Sequence, residues 1–217
     1  MNGTLFIVAT PIGNLEDITL RALKVLKEVE IIACEDTRRT LILLRYYNIE
    51  KPLISYHQHS KLQKIEEIIE KLQAGQNIAL VTDAGTPGIA DPGGVLIARA
   101  LRSNIKVEPI PGAFSGAVIL SVAGISADKF LFLGFLPKKK GRQTILNNFK
   151  NFPYPIVIFE SPQRINRTLD DIKNSWGDRQ VIIGREMTKK FESIYRGKIS
   201  EIQIREQGEF VIIINHE

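Results

Sequence analysis

Short apolar runs of strand length alternate with amphipathic segments of helical period along the first half of this 217-residue chain. The sequence predicts strands over residues 5–9, 30–34, 53–56, 78–82 and 105–110, with helices over 62–72 and 95–101 among them. Such alternation is typical of an α/β fold with a mainly parallel sheet and helices on both faces. Asp17 precedes an apolar helical pattern that begins at Ile18, so we expect Asp17 to cap that helix.

The second half of the chain predicts a different sheet. Its strand-like runs fall at residues 130–136, 155–159, 180–184, 194–199 and 210–214. The last runs follow one another without a long helix between them, which favours antiparallel or mixed pairing in an α+β layer. We therefore expect an N-terminal α/β domain over 1–112 and a C-terminal domain with a mixed sheet over 118–217.

Composition narrows the class of protein. Cys34 is the one cysteine, so no disulfide can form; its apolar neighbours predict a buried, inert thiol and a reducing cytoplasm. No run approaches the about 20 apolar residues that a membrane span needs, and no leader pattern begins the chain. We expect a soluble cytoplasmic protein. The net charge of +5 suggests attraction to polyanions, or serves solubility alone. The histidines and the cysteine lack ligand spacing, and we expect no metal.

A glycine- and proline-rich segment, Asp-Ala-Gly-Thr-Pro-Gly-Ile-Ala-Asp-Pro-Gly at 83–93, follows the apolar run 78–82 directly. Glycine and proline prevent the strand from continuing, so the backbone turns and exposes its polar groups at the carboxyl edge of the sheet. Open α/β sheets bind ligands at this edge. The segment therefore predicts a ligand loop; the alternative is a tight connection from strand to helix.

Several further motifs occur in one order over nearly the whole chain. They are ATPIGNL at 9–15, DIT at 17–19, EDTR at 35–38, SYH at 55–57, the loop at 83–93, PGA at 111–113, GFLP at 134–137, ESPQR at 160–164 and REMTK at 185–189. Together they resemble the ribosomal RNA small subunit 2′-O-ribose methyltransferases, which belong to the tetrapyrrole-methylase-like superfamily.

The resemblance implies a class III S-adenosylmethionine methyltransferase with two α/β domains, a cofactor cleft between them and a homodimeric assembly. It implies 2′-O-methylation of a cytidine in 16S rRNA of the small ribosomal subunit. Members commonly continue into a further carboxyl-terminal segment, whereas this sequence ends at His216-Glu217. Relatives that act on tetrapyrroles carry Gly-Asp-Pro where this chain has Gly85-Thr86-Pro87, which argues against a tetrapyrrole substrate.

Residues that correspond to the superfamily's cofactor-contacting segments give the expected binding site. They are Pro11, Ile12, Asp83, Gly85, Thr86, Ile89, Phe114, Ser115, Phe159 and Met187. Glycine lets backbone groups approach a ligand closely, and an apolar wall suits an adenosyl group. A structural turn at Pro11 and Ile12, and plain core packing for the apolar residues, are the alternatives.

Methyl transfer to a ribose hydroxyl requires alignment and a group that takes the proton. The expected catalytic carboxylates are Glu35, Asp36 and Asp83. Glu160 and Glu186 are further candidates, although ion pairs with Arg164 and Arg185 would explain them equally well. His57 and His59 are candidates too, and a solvated loop is the simpler interpretation for them.

Clustered cations predict the RNA contacts. They are Arg38, Lys138, Lys139, Lys140, Arg142, Arg164 and Lys189. Such side chains bind phosphates, and solvated lysines are the alternative. Two other functions stay open: a non-catalytic RNA-binding protein of ribosome assembly, and a methylase that acts on a tetrapyrrole or another small molecule.

Overall fold

The structure is a computed structural model that describes residues 1–57 and 62–216. The chain divides into two compact units, Met1–Phe114 and Ser115–Glu217. His59, one of the two candidate histidines, lies outside the described residues.

The first unit contains a fully parallel sheet of five strands in the order β3-β2-β4-β1-β5. The strands are β1 (Thr4–Val8), β2 (Ile31–Cys34), β3 (Leu53–Ser55), β4 (Ile78–Leu80) and β5 (Lys106–Ile110). β4 lies between β2 and β1, so residues that follow these three strands meet at one edge. The predicted parallel sheet is confirmed.

Helices cover both faces of this sheet. They are α1 (Leu20–Glu28), α2 (Thr37–Tyr46), α3 (Leu62–Gln73) and α4 (Gly94–Arg102). On one face Leu5 packs in a buried cluster with Ile68 of α3, and on the other Val8 packs with Leu26 of α1. Because side chains alternate along a strand, β1 supplies both cores.

The first helix begins later than the sequence predicted. Thr19, not Asp17, is its N-cap, and the Thr19 side chain accepts a hydrogen bond from the backbone N–H of Ala22. Asp17 instead ends a 3₁₀ turn, Leu15–Asp17, and the extended backbone of Ile18 separates that turn from α1. The expected capping role of Asp17 was therefore wrong.

The second unit contains a mixed sheet of five strands in the order β6-β7-β10-β8-β9. The strands are β6 (Leu131–Phe135), β7 (Ile156–Glu160), β8 (Gln180–Arg185), β9 (Ser193–Lys198) and β10 (Phe210–Ile214). β6 and β7 are parallel, and the other neighbours pair antiparallel. The predicted mixed sheet is confirmed.

Three helices accompany this second sheet: α5 (Ser115–Ser121), α6 (Arg142–Phe149) and α7 (Ile165–Trp176). α7 packs Ile165 and Leu169 into the core that contains Ile158 and Ile212. At its end Trp176 Nε1 donates to the carbonyl of Leu146, 2.6 Å away. This bond joins α7 to α6.

Two further predictions concern burial. Cys34 lies fully buried in β2, and burial raises the pKa of its thiol, which keeps it protonated and unreactive. Within residues 1–57 and 62–216, no helix has both the length and the apolar character that crossing a bilayer requires.

Candidate active site

The segments that follow β1 and β4 are joined beyond the carboxyl edge of the first sheet. Thr10 and Gly85 form an isolated antiparallel bridge, in which each backbone N–H donates to the other's carbonyl at 2.9 and 3.1 Å. The hydroxyl of Thr10 also donates to the carbonyl of Thr82 at 3.0 Å. The glycine-rich loop thus leaves β4 fixed against the first loop.

At Gly85 the backbone of this loop lies close to the loops that follow β1 and β5. The φ of Gly85, 87°, lies in the left-handed region that side chains disfavour. A Cβ added there would lie 3.6 Å from both the carbonyl oxygen of Ala113 and Cγ2 of Ile12. Thr86 Oγ1 donates to the same Ala113 carbonyl at 3.2 Å. Loops after β1, β4 and β5 therefore converge around Gly85.

Some of the expected cofactor residues belong to this convergence. Pro11 and Ile12 are buried in the loop after β1, and Ile89 is exposed farther along the glycine-rich loop. Phe114 is partly buried at the end of the first unit, and Ser115 begins α5 in the second. The structure brings Ile12, Gly85 and Thr86 together; Asp83 lies two residues before Gly85.

The other two expected cofactor residues lie in the second unit. Phe159 of β7 packs edge-on against Phe132 and Phe135, with ring centroids 5.0 and 5.6 Å away. Met187 is buried just after β8, and a Cβ added at Gly184 would lie 2.6 Å from its sulfur. Gly184 therefore makes room for the Met187 side chain.

The three candidate carboxylates follow β2 and β4. The side chain of Asp83 accepts a hydrogen bond from the backbone N–H of Asp36 at 3.0 Å, and Glu35 accepts one from the hydroxyl of Thr82 at 3.2 Å. The structure thus brings Glu35, Asp36 and Asp83 together at one edge.

Asp36 is the N-cap of α2 and forms a bidentate ion pair with Arg38. Its Oδ1 accepts from both the backbone N–H and the Nε of Arg38, and its Oδ2 accepts from Nη2 at 2.7 Å. The hydrogen bond from the Arg38 side chain lowers the pKa of Asp36 from 3.8 to about 2. Asp36 is consequently a weak base at neutral pH.

Sequence reasoning missed Arg39. Its Nε lies 3.5 Å from Oδ2 of Asp83, so a cation of α2 faces the carboxylate that follows β4. The signal was available only after folding, because residues 39 and 83 meet through the pairing of β2 with β4. The hydroxyls of Thr10 and Thr82 were missed for the same reason.

The predicted RNA contacts divide into exposed and buried cations. Lys138, Lys139 and Lys140 are exposed between β6 and α6. Arg142 is 7% exposed; its Nε pairs with Asp171 at 2.7 Å. Its guanidinium faces the protein interior, which does not favour the expected RNA contact of Arg142, and that contact stays a prediction.

The remaining cations also have protein partners. Arg38 pairs with Asp36 yet stays largely exposed, whereas Arg164 donates to the buried carboxylate of Glu160 at 2.9 Å. Lys189 contacts two carboxylates, those of Glu186 at 3.0 Å and Glu209 at 2.9 Å.

The ion pair weighed for Glu160 is therefore present with Arg164. Glu186 pairs with Lys189 instead of the expected Arg185, whose Nε donates to the carbonyl of Gln207.

His57 is exposed and follows the end of β3 by two residues. No group of three or more histidine, cysteine, aspartate or glutamate side chains that could hold a metal ion occurs in the described part of the chain.

The fold has known counterparts. A family model described as Tetrapyrrole (Corrin/Porphyrin) Methylases matches residues 4–203. Two solved structures share the fold: a cobalt precorrin-4 methyltransferase (TM-score 0.71, 16% identity, 97% of this chain and 94% of that chain) and the uroporphyrin-III C-methyltransferase of Thermus thermophilus complexed with S-adenyl homocysteine (0.69, 16%, 97% and 97%). The chain belongs to the tetrapyrrole methylase family and is a methyltransferase.

Sequence similarity identifies the branch. The chain is 48% identical over 199 residues to the Ribosomal RNA small subunit methyltransferase I of Thermotoga maritima, covering 92% of this chain and 90% of that protein. It is 44% identical over 223 residues to the protein of the same name from Pasteurella multocida, covering 99% and 79%. Within the family, the chain falls in the branch of these ribosomal RNA small subunit methyltransferases I.

Proposed function

We propose that this methyltransferase uses S-adenosylmethionine to methylate the 2′-hydroxyl of a cytidine in 16S rRNA of the small ribosomal subunit. The observation that supports this substrate is the sequence similarity, over nearly the full length of both chains, to proteins named for small-subunit ribosomal RNA. The geometry that agrees with it is the convergence of three loops at the carboxyl edge of the first sheet.

The residues of the first unit fit the cofactor. Around Gly85 the backbones of three loops approach one another closely, and the apolar Ile12 lies alongside. Because the N–H and the carbonyl of Gly85 both pair with Thr10, this cradle offers a fixed backbone surface and an apolar wall on which a cofactor can lie. Phe114, Ser115, Phe159 and Met187 keep their expected role as cofactor contacts as part of this proposal.

When bound, S-adenosylmethionine supplies an activated methyl group for an in-line displacement by the ribose oxygen. The protein must then align that oxygen and accept its proton. Asp36 has a lowered pKa and is held by Arg38, so we assign it to positioning Arg38 at an RNA phosphate. Glu35 and Asp83, which lie at the same edge of the sheet, are the proposed proton acceptors.

Thr86 supports RNA over a tetrapyrrole. Its hydroxyl donates to the carbonyl of Ala113, which closes the glycine-rich loop onto the loop after β5. An ionised aspartate at this position would set two acceptors against each other, so this closure depends on a side chain that can donate. The exposed lysines at 138–140 supply a surface for phosphates.

The assembly and location belong to the same proposal. Action on the small subunit places the enzyme in the cytoplasm with ribosomes, and the resemblance implies a homodimer. Sedimentation of the purified protein at several concentrations measures the oligomeric state directly.

The test offers labelled S-adenosylmethionine and the protein to small ribosomal subunits that lack ribose methylation, and in parallel to uroporphyrinogen III. Labelled RNA with unlabelled tetrapyrrole supports the proposal, and the reverse result contradicts it. Cofactor binding without transfer to either substrate would favour another small-molecule substrate. Absence of cofactor binding, measured by calorimetry, would favour the non-catalytic RNA-binding alternative.

A further inference from the structure

Two arginines hold the backbone immediately before the exposed lysines. Arg164 Nη2 donates to the carbonyl of Leu136 at 2.6 Å, and Arg142 Nη1 donates to the carbonyl of Pro137 at 3.3 Å. Leu136 is itself buried, with 2% exposure. The chain is therefore clamped at two consecutive carbonyls, and Lys138 is the next residue.

A buried carboxylate links the two arginines. Oε2 of Glu160 accepts from Arg164 Nη2 at 2.9 Å and from the hydroxyl of Thr168 at 2.6 Å. The Thr168 oxygen in turn accepts from Arg142 Nη2 at 2.9 Å. The result is a continuous chain, Arg164–Glu160–Thr168–Arg142. Glu160 is 1% exposed and Thr168 0% exposed.

The ends of this chain are also fixed. Oε1 of Glu160 accepts from the backbone N–H of Ser161 at 2.7 Å, and Arg142 Nε donates to Asp171 at 2.7 Å. A buried polar network with all its members paired is rigid, because moving one group leaves others unpaired in a low-dielectric interior. The two guanidinium groups cannot turn towards solvent without breaking several of these bonds.

We propose that this network is a positioning device for the rRNA-binding loop. Glu160 and Thr168 orient Arg142 and Arg164, and these arginines hold the backbone of residues 136–137 in place. The lysines at 138–140 then contact phosphates from a backbone that is fixed at its start. The inference rests on the proposed function, since its ligand is the ribosomal RNA. In the sequence Arg142 and Arg164 resemble RNA-binding cations. In this proposal they support the RNA-binding loop from within the protein.

The first measurement needs no RNA. Thr168→Val keeps the shape of the side chain and removes the hydroxyl that connects Glu160 with Arg142. Loss of the two charge-assisted hydrogen bonds of this hydroxyl, to Glu160 and from Arg142, should raise the rate of trypsin cleavage after the lysines at 138–140 by about tenfold. Arg167→Gln is the matched control, because it removes an exposed cation of α7 that only approaches Asp171 at 4.0 Å. Its cleavage rate should equal that of the wild type.

The second measurement uses steady-state kinetics with small ribosomal subunits. For Thr168→Val we expect KM for the subunit to rise by about tenfold, while kcat and the cofactor dissociation constant stay unchanged. Arg142→Lys retains the charge but loses the planar guanidinium that donates to several partners, and it should behave in the same way. A general structural role would instead weaken cofactor binding as well.

The two measurements separate the possible failures. Unchanged trypsin cleavage in both Thr168→Val and Arg142→Lys overturns the clamp. Faster cleavage with an unchanged KM overturns the role of the clamp in RNA binding. A wild-type protein that labels no small subunit overturns the proposed function, and the cleavage rates then decide on the clamp independently.

Discussion

Asp83 and Asp36, which are separated by 47 positions in sequence, are joined by a 3.0 Å hydrogen bond from the backbone N–H of Asp36 to Oδ1 of Asp83. The bond ties the segment after β4 to the N-terminus of α2. Because Arg39 approaches the other Asp83 oxygen, one carboxylate holds both a backbone donor and a cation. This arrangement fixes the candidate catalytic edge and makes Asp83 a first target for mutation.

Asp83→Asn and Asp83→Ala separate the structural and chemical roles of this side chain. Asparagine retains an acceptor for the Asp36 N–H, whereas alanine leaves that donor without its partner and should lower the free energy of unfolding by about 1 kcal/mol. If the charge takes part in catalysis, Asp83→Asn should lower kcat by about 100-fold while remaining folded. Urea denaturation and methyl-transfer rates measure the two effects; a fully active Asp83→Asn would contradict the catalytic assignment.

The pKa of Asp36 provides a second prediction. Its value of about 2, below the ordinary 3.8, means that its ion pair with Arg38 stabilises the fold above the ordinary pKa, and that this contribution is lost as the pH falls towards 2. Arg38→Ala should raise the pKa part of the way, since the backbone N–H at position 38 still donates. A carbon NMR titration of the Asp36 carboxyl measures the pKa, with Arg45→Ala at the far end of α2 as control. An unchanged pKa in Arg38→Ala would refute the assigned cause.

Gly85 and Gly88 form a matched pair for testing the cofactor cradle. Both have left-handed backbone, with φ of 87° and 82°, and a Cβ at either would have 3.6 Å as its shortest contact. Alanine should therefore cost each about 1 kcal/mol of folding stability. Only Gly85 bridges to Thr10, so Gly85→Ala should also weaken cofactor binding by about tenfold. Calorimetric titration compares them, and equal affinities would argue against a cradle at Gly85.

The salt dependence of RNA binding tests whether the lysines at 138–140 contact phosphates. Changing Lys138, Lys139 and Lys140 together to glutamine should reduce the magnitude of the slope of log K against log salt by about 2, if each contacts a phosphate. The control changes Arg21, Lys24 and Lys27 of α1 to glutamine, which removes the same charge from another exposed surface. Filter binding measures both slopes; the same reduction in both variants would indicate a general charge effect.

Gly184 tests the packing of Met187. Alanine at this position would place a Cβ 2.6 Å from the Met187 sulfur and 3.0 Å from Cδ1 of Ile119, so it should lower stability by about 1–3 kcal/mol. Combining it with Met187→Ala should recover part of that loss, because the two groups compete for one space. A double-mutant cycle from denaturation curves measures the coupling, and strict additivity would show that Met187 does not occupy this space.

The strands could be predicted from the sequence because burial leaves a direct trace. Ile78, Ala79 and Leu80 lie at the centre of a parallel sheet and are buried on both faces, so they read as a continuous apolar run. The start of α1 was misplaced because Asp17 and Thr19 are both good caps. Only the extended backbone at Ile18 decides between them, and that conformation is set by the preceding turn.

The site was predictable where residues are close in sequence and less so where tertiary contacts decide. The turn at Gly85 followed from its composition, whereas the contact of Arg39 with Asp83 depends on strand order. The burial of Arg142 could not be predicted, because an arginine after three lysines suggests an exposed cation. In the fold it begins α6 and faces Asp171 and Thr168 of α7.

The most direct test of the account is the identity of the methylated nucleotide. Small ribosomal subunits that lack ribose methylation would be incubated with the protein and labelled S-adenosylmethionine, and the digested 16S rRNA would be analysed by mass spectrometry. We expect the label to be recovered as 2′-O-methylcytidine at one position. Label on a base, on another ribose, or absent from the RNA while the cofactor binds would contradict it.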